Sequence, residues 1–183
     1  VHYTEVVGTD ADAPQRGALV RVPVTVIIPE KIENAKWNET LTFKGGGTTR
    51  RFLNVPMGAT WADLHVRTIK AGTDQRTTMH AVQLLPGLSF RAGGERRHVT
   101  LHEGAVRVES FAVTGGRTLE LCLAQYWSSL GEAEAEFTLQ FHGLRPSSEV
   151  VSLDGNDLTD SVVITAPLRD ERVSPSGSFK TWR

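Results

Sequence analysis

Residues 135–142 read AEFTLQFH, with Phe137, Leu139 and Phe141 on one side of an extended chain and Thr138, Gln140 and His142 on the other. Side chains alternate faces with a period of two only in a strand, so this stretch fits a strand with one face in a core and the other in solvent. The same alternation places Ala18, Val20, Val22, Val24, Val26 and Ile28 on one face, and Leu119, Leu121 and Leu123 on another. Shorter runs at 40–44, 51–55, 64–69, 79–85, 99–102, 105–113 and 161–165 repeat it, separated by Pro, Gly and polar clusters every 10–15 residues. No long segment carries a 3.6-residue period. This pattern predicts an all-β fold, a β-sandwich or jelly roll, and the lack of a fixed repeat argues against a propeller or solenoid.

The residue 50–69 stretch, RRFLNVPMGATWADLHVRTI, makes the punctuation explicit. Pro56 has a fixed φ and no N–H, and Gly58 can take a positive φ, so residues 56–59 read as a turn between two strands. Trp61 follows the bend. Its large apolar area makes it a predicted core anchor, as does that of Trp127 within the run 117–127, and a ligand-stacking platform is the alternative for either. Pro23 interrupts its run and assigns it to a sheet edge. Residues 30–37 are polar and read as a linker.

Composition limits the partners. The 183 residues carry a net charge of −1, 39% hydrophobic residues and one cysteine, which is globular and permits no internal disulfide. Residues 44–117 hold eleven Lys/Arg against five Asp/Glu, and residues 120–171 hold two against ten. No basic run exceeds two residues, so the asymmetry reads as solvated faces rather than a nucleic-acid surface. No apolar run reaches the ~20 residues of a membrane helix. The chain begins VHYTEVV, without an initiator Met or a signal-like core, and is expected to be a piece of something longer.

Searches for reaction chemistry end without a site. His98 and His102 are spaced for one face of a helix, but HVTLH reads as strand, where they stand about 13 Å apart. Phe141-His142-Gly143 is similar to the His-Gly of a subtilisin-type protease, yet Leu144-Arg145-Pro146 follows where small helix-opening residues are needed. No Gly-Thr-Ser or G-x-S-x-G nucleophile segment is present, and His142 reads as a solvent-side residue at a strand end. Asp154-Gly155-Asn156-Asp157 fails the calcium-loop pattern because Leu158 stands at the fifth position. The glycine pairs and triplets lack the Lys-Ser/Thr and helix of a phosphate cradle. Cys122 lies in TLELCLA, a strand context without an evident activating cation. No catalytic, cofactor-binding or metal-binding residue is assigned, and no cofactor is expected.

Five segments carry a resemblance: HYTEVVGTDADAPQRGALVRVPVTVIIP (2–29), RRFLNVPMGATWADLHV (50–66), HAVQLL (80–85), LAQYWSSL (123–130) and LQFHGL (139–144). In this order they resemble the tripeptidyl-peptidase II family of giant subtilisin-clan serine exopeptidases. The resemblance implies a region after the protease domain: residues 1–29 ending an immunoglobulin-like sandwich, 30–37 a linker, 38–165 a galactose-binding-domain-like sandwich, and 166–183 a tail. It implies no catalytic residue here, since none of the family's catalytic motifs has a matching position. It further implies a cytoplasmic homo-oligomer whose partners are the remainder of the parent peptidase, including its subtilisin-like domain. The expected function is a non-catalytic scaffold or assembly module; the alternative is a carbohydrate- or peptide-binding β-sandwich.

Overall fold

The computed structural model describes residues 1–178 except 73, 90, 91, 130, 152, 154, 155, 157 and 158. The chain opens as a hairpin, β1 (His2–Thr9) and β2 (Ala18–Val26), which pair antiparallel and only with each other. There follow β3 (Glu30–Lys31), β4 (Lys36–Phe43), β5 (Thr48–Asn54), β6 (Trp61–Ala71), β7 (Gln75–Gln83) and β8 (Gly94–Leu101). Then come β9 (Val106–Ala112), β10 (Thr118–Gln125) and β11 (Ala133–His142), with a short closing pair, β12 (Arg145–Pro146) and β13 (Ile164–Thr165).

These strands make two sheets, β3-β5-β10-β7-β8 and β4-β11-β6-β9, antiparallel at every pairing except β3 with β5. The predicted all-β sandwich is therefore the observed architecture. Its core lies between the central strands. Leu119, Leu121 and Leu123 of β10 and Phe137, Leu139 and Phe141 of β11 are each at most 1% exposed. Burial of each such side chain contributes about 1.5–3 kcal/mol, which is why these alternations were the readable ones.

Several expectations change. Residues 30–37 were expected to connect; instead they supply β3 and the first two residues of β4, and Ile32 packs against the core. Trp37, in that stretch, is the buried tryptophan among the described residues. Trp61 is only half-buried, and Trp127 is 78% exposed just past the end of β10, so neither is a core anchor. The extended run ends at Gln125, and a turn throws Trp127 out of the alternation. The acidic turn at 154–157 falls, apart from Asn156, outside the described residues.

Polar side chains complete the sandwich where the ladders stop. Gln83 accepts from the Thr114 N–H at 2.7 Å and donates to its carbonyl at 3.1 Å, and Gln125 donates to Gln75 at 2.6 Å. Glu39 of β4 points inward and receives Arg51 of β5 through two bonds of 2.7 and 2.5 Å, tying one sheet to the other at the core margin. That hydrogen-bonded carboxylate pushes the Arg51 guanidinium above its ordinary value. Both side chains keep about a third of their surface in water, so Glu39→Gln is expected to cost about 1 kcal/mol in a denaturant melt. Charge reversal at both positions is expected to recover most of it.

Candidate functional site

The outer face of the four-stranded sheet holds the most developed cluster of chemistry-bearing side chains. Strand register sets them in rungs across the sheet. Lys36, Gln140, Asp63 and Ser110 form one, Asn38, Thr138, His65 and Val108 the next, and Thr40, Glu136, Arg67 and Val106 the third. Rungs are about 6.7 Å apart along the strands and strands about 4.8 Å apart, so the face is a shallow polar groove. Its volume is about 600 Å³. Arg67 is neutralised by Glu136 at 2.5–2.8 Å, and Gln140 donates to the Ala35 carbonyl at 2.7 Å.

His142, the last residue of β11, closes one end. Trp61 is its cross-strand neighbour, and the two rings stack 5.0 Å apart at 8°. Its Nδ1 lies 2.8 Å from Glu171 Oε1 and its Nε2 3.3 Å from Asp63 Oδ2. Only the Nδ1 contact is a hydrogen bond, so Glu171 is the carboxylate that holds the ring while Asp63 stands beside it. The longer contact, to Oδ2, is not a hydrogen bond, and Nε2 is buried without one among the described residues, as is the other Asp63 oxygen, Oδ1. His142 is thus an inner member of a small cluster, not the solvent-side residue expected from alternation. The sequence could not show this, because Glu171 is 29 residues away and reaches the ring only through the fold.

A histidine flanked by carboxylates needs a hydroxyl or thiol nucleophile to perform acyl transfer. Among the described residues no such group is hydrogen-bonded to His142. The cluster instead ties down the C-terminal segment: Pro167 packs on Gly58, Leu168 joins the core margin, and Glu171 meets His142. Glu171→Gln is accordingly expected to cost about 1–2 kcal/mol and to speed tryptic cleavage at Arg169 and Arg172, with the sheets intact.

The remaining candidates separate. His98 contacts Thr78 at 3.1 Å and His102 contacts Asp74 at 2.5 Å, so the two histidines serve different neighbours. Among the described residues no group of three His, Cys, Asp or Glu is placed to hold a metal ion. Cys122 lies opposite Arg50 and His80 on the outer face of the other sheet. Burial pushes its thiol up, more than Arg50 draws it down. Since the thiolate is the nucleophile, Cys122 is expected to react with a thiol reagent at pH 8 several-fold more slowly than free cysteine, with urea restoring the rate. Tyr126 and Trp127 lie with ring centroids 6.3 Å apart, and Arg76 sits 5.0 Å over the Tyr126 ring. Among the described residues no helix is long and apolar enough to cross a membrane.

Comparison with known proteins places this geometry. Residues 43–131 match the family model described as TPPII, galactose-binding domain-like. Tripeptidyl-peptidase 2 of Oryza sativa subsp. japonica is 39% identical over 183 residues, covering 96% of this chain and 13% of that protein. The Arabidopsis thaliana protein of the same name is 36% identical over 182 residues, with the same coverage. A crystal structure of tripeptidyl peptidase 2 superposes with a TM-score of 0.72 at 29% identity, over 82% of this chain and 14% of that one. The chain therefore spans about an eighth of the length of the curated relatives it matches.

Proposed function

Because the chain belongs to the tripeptidyl-peptidase II family, with a galactose-binding-like domain at its centre, we propose that it is a non-catalytic scaffold and assembly module of a serine exopeptidase. The parent enzyme in this reading releases tripeptides from free N-termini, works in the cytoplasm as a homo-oligomer, and carries its subtilisin-like domain elsewhere in the polypeptide. Residues 1–29 end an immunoglobulin-like sandwich, 38–165 form the galactose-binding-like domain together with the strand and core residues that 30–37 contribute, and 166–183 lead onward.

The observation that carries the reading is the β1–β2 hairpin. Its register puts Val6, Val20, Val22, Val24 and Val26 on one face, while Glu5 and Arg21 pair at 2.9 Å on the other. All but Val24 of those valines are at least half exposed. A two-stranded hairpin is marginal in water, and this one leaves apolar side chains uncovered on both faces, since Val7 and Leu19 lie exposed on the side of the Glu5–Arg21 pair. Such faces suit burial against further strands of the same polypeptide. The test is to assay the purified chain on a tripeptide-releasing substrate. No turnover is expected, and turnover abolished by a serine-directed inhibitor overturns the proposal.

The second reading, a carbohydrate- or peptide-binding module, is favoured by the Tyr126–Trp127 pair, whose outer ring is open to solvent. Saturable micromolar binding on a glycan array, lost on Trp127→Ala, supports that reading over the scaffold.

A further inference from the structure

The groove on the four-stranded sheet carries two opposite charges that do not meet. In the rung of Thr40, Glu136 and Arg67 the charged neighbours touch, and Arg67 donates to Glu136 at 2.8 Å. Two rungs along, Lys36, Gln140 and Asp63 lie in line, with Gln140 between the charges. Lys36 and Asp63 are thus two strand spacings apart, about 10 Å across the sheet. Among the described residues Lys36 makes no ion pair, and the Asp63 carboxylate has only its 3.3 Å approach to His142 Nε2.

The acceptors at the Asp63 end lack donors. Glu171 takes the His142 Nδ1 at 2.8 Å, and a carboxylate only accepts, so Nδ1 carries the proton and Nε2 of the neutral ring keeps a lone pair. That lone pair and Asp63 Oδ2 face each other as two acceptors. Gln140 spends its NH2 on the Ala35 and Phe141 carbonyls, at 2.7 and 3.3 Å, which leaves its Oε1 as a third acceptor in the groove lining. Nε2 and Asp63 Oδ1 are sealed from solvent, so Asp63 Oδ2 and Gln140 Oε1 are the two within a ligand's reach. The remaining cation of the lining, Arg169, leans on Glu171 at 3.6 Å and not on Asp63. A carboxylate set among acceptors calls for a group that is positive and all donor, as a primary ammonium is. Lys36, which only donates, calls for an anion at the other end.

The geometry points to a binding site for a short peptide with both termini free, its ammonium on Asp63 and Gln140 and its carboxylate on Lys36. An extended chain advances about 3.3–3.6 Å per residue, so two or three residues cover the interval. The peptide lies across the strands, over Gln140, and the site reads its two ends more than its sequence. A groove of about 600 Å³ has the size of a small-molecule site. Such a site goes beyond the scaffold role and does not depend on it.

The test titrates the chain with trialanine, N-acetyl-trialanine and trialanine amide, read on the backbone amide resonances of residues 36, 63 and 140 and on the Gln140 side-chain NH2. Trialanine is expected to give saturable shifts with a Kd of about 1 mM or below, and the acetylated peptide to bind at least tenfold more weakly, because it brings no charge to Asp63. Asp63→Asn, checked for folding by its melt, is expected to weaken trialanine and its amide alike by at least tenfold. Lys36→Gln, at an exposed position, is expected to weaken trialanine several-fold and leave the amide unchanged. Equal affinity for the acetylated peptide, or no saturation up to about 10 mM trialanine, overturns the site. An effect of Lys36→Gln that is the same on trialanine and on its amide, nil included, overturns the assignment of the two ends. Where Asp63→Asn does not fold, the acetylated peptide and Lys36→Gln decide the matter without it.

Discussion

Gly143→Ala is expected to lower the stability of the sandwich by about 3 kcal/mol or more, a drop of roughly 6–12 °C in melting temperature for a chain this size. A Cβ at position 143 lies 2.0 Å from the Gly58 carbonyl oxygen and 3.0 Å from its carbon, both backbone atoms. The turn cannot move aside easily. It is closed by Ala59 N–H to the Pro56 carbonyl at 3.1 Å, with Gly58 at φ +90°, the backbone a type II turn demands at its third residue. Thr60 N–H then bonds His142 O at 2.8 Å, Gly115 N–H bonds Ala59 O at 3.1 Å, and Gly116 N–H bonds Val55 O at 2.9 Å. Making room at 143 breaks several of these together. Gly72→Ala, where no atom lies within 4 Å of the added carbon, is the control and is expected within about 0.5 kcal/mol of the parent. A Gly143→Ala melt within 1 kcal/mol of the parent would show that the turn yields.

Truncating Trp37 to alanine is expected to cost about 3–5 kcal/mol, against about 1–2 for Trp61 and under 0.5 for Trp127. Trp37 is 5% exposed on the inner face of β4, beside Leu41 and Phe43 at the same period. Its removal leaves an indole-sized void that two packed sheets cannot close. Trp61 loses its stack on His142 and some hydrocarbon contact, but part of it already faces water. Trp127 has little to lose. Urea melts of the three variants read this order directly. If Trp61→Ala falls as far as Trp37→Ala, the half-buried position underestimates its packing.

The tryptophans show where sequence reading fails here. Leu119, Leu121 and Leu123 were legible because three consecutive turns of the period-two pattern agree, whichever strands lie beside them. Trp37 was not, because Ile32 and Trp37 are isolated apolar residues in a polar stretch, and only the pairing of β4 with β11 makes position 37 an inner one. Trp127 was misread because the strand ends two residues earlier. A composition-rich neighbourhood does not say where a ladder stops. His142 failed for a third reason. Alternation correctly put it opposite Phe141, on the outer face, but that face is covered at this end by Glu171 and Trp61.

The sequence alone determined that the chain is all-β, which strand faces are apolar, and where the turn at 56–59 bends, because these follow from local periodicity and from the fixed backbone preferences of Pro and Gly. Its five ordered segments also carried the family resemblance. Only the tertiary structure decided that two sheets of five and four strands pair in this order, that Gly143 must lack a side chain, and that His142 is enclosed. It alone showed that the hairpin's valines stand uncovered. Each of these depends on contacts between residues tens of positions apart, whose geometry is set by strand pairing and by no local rule.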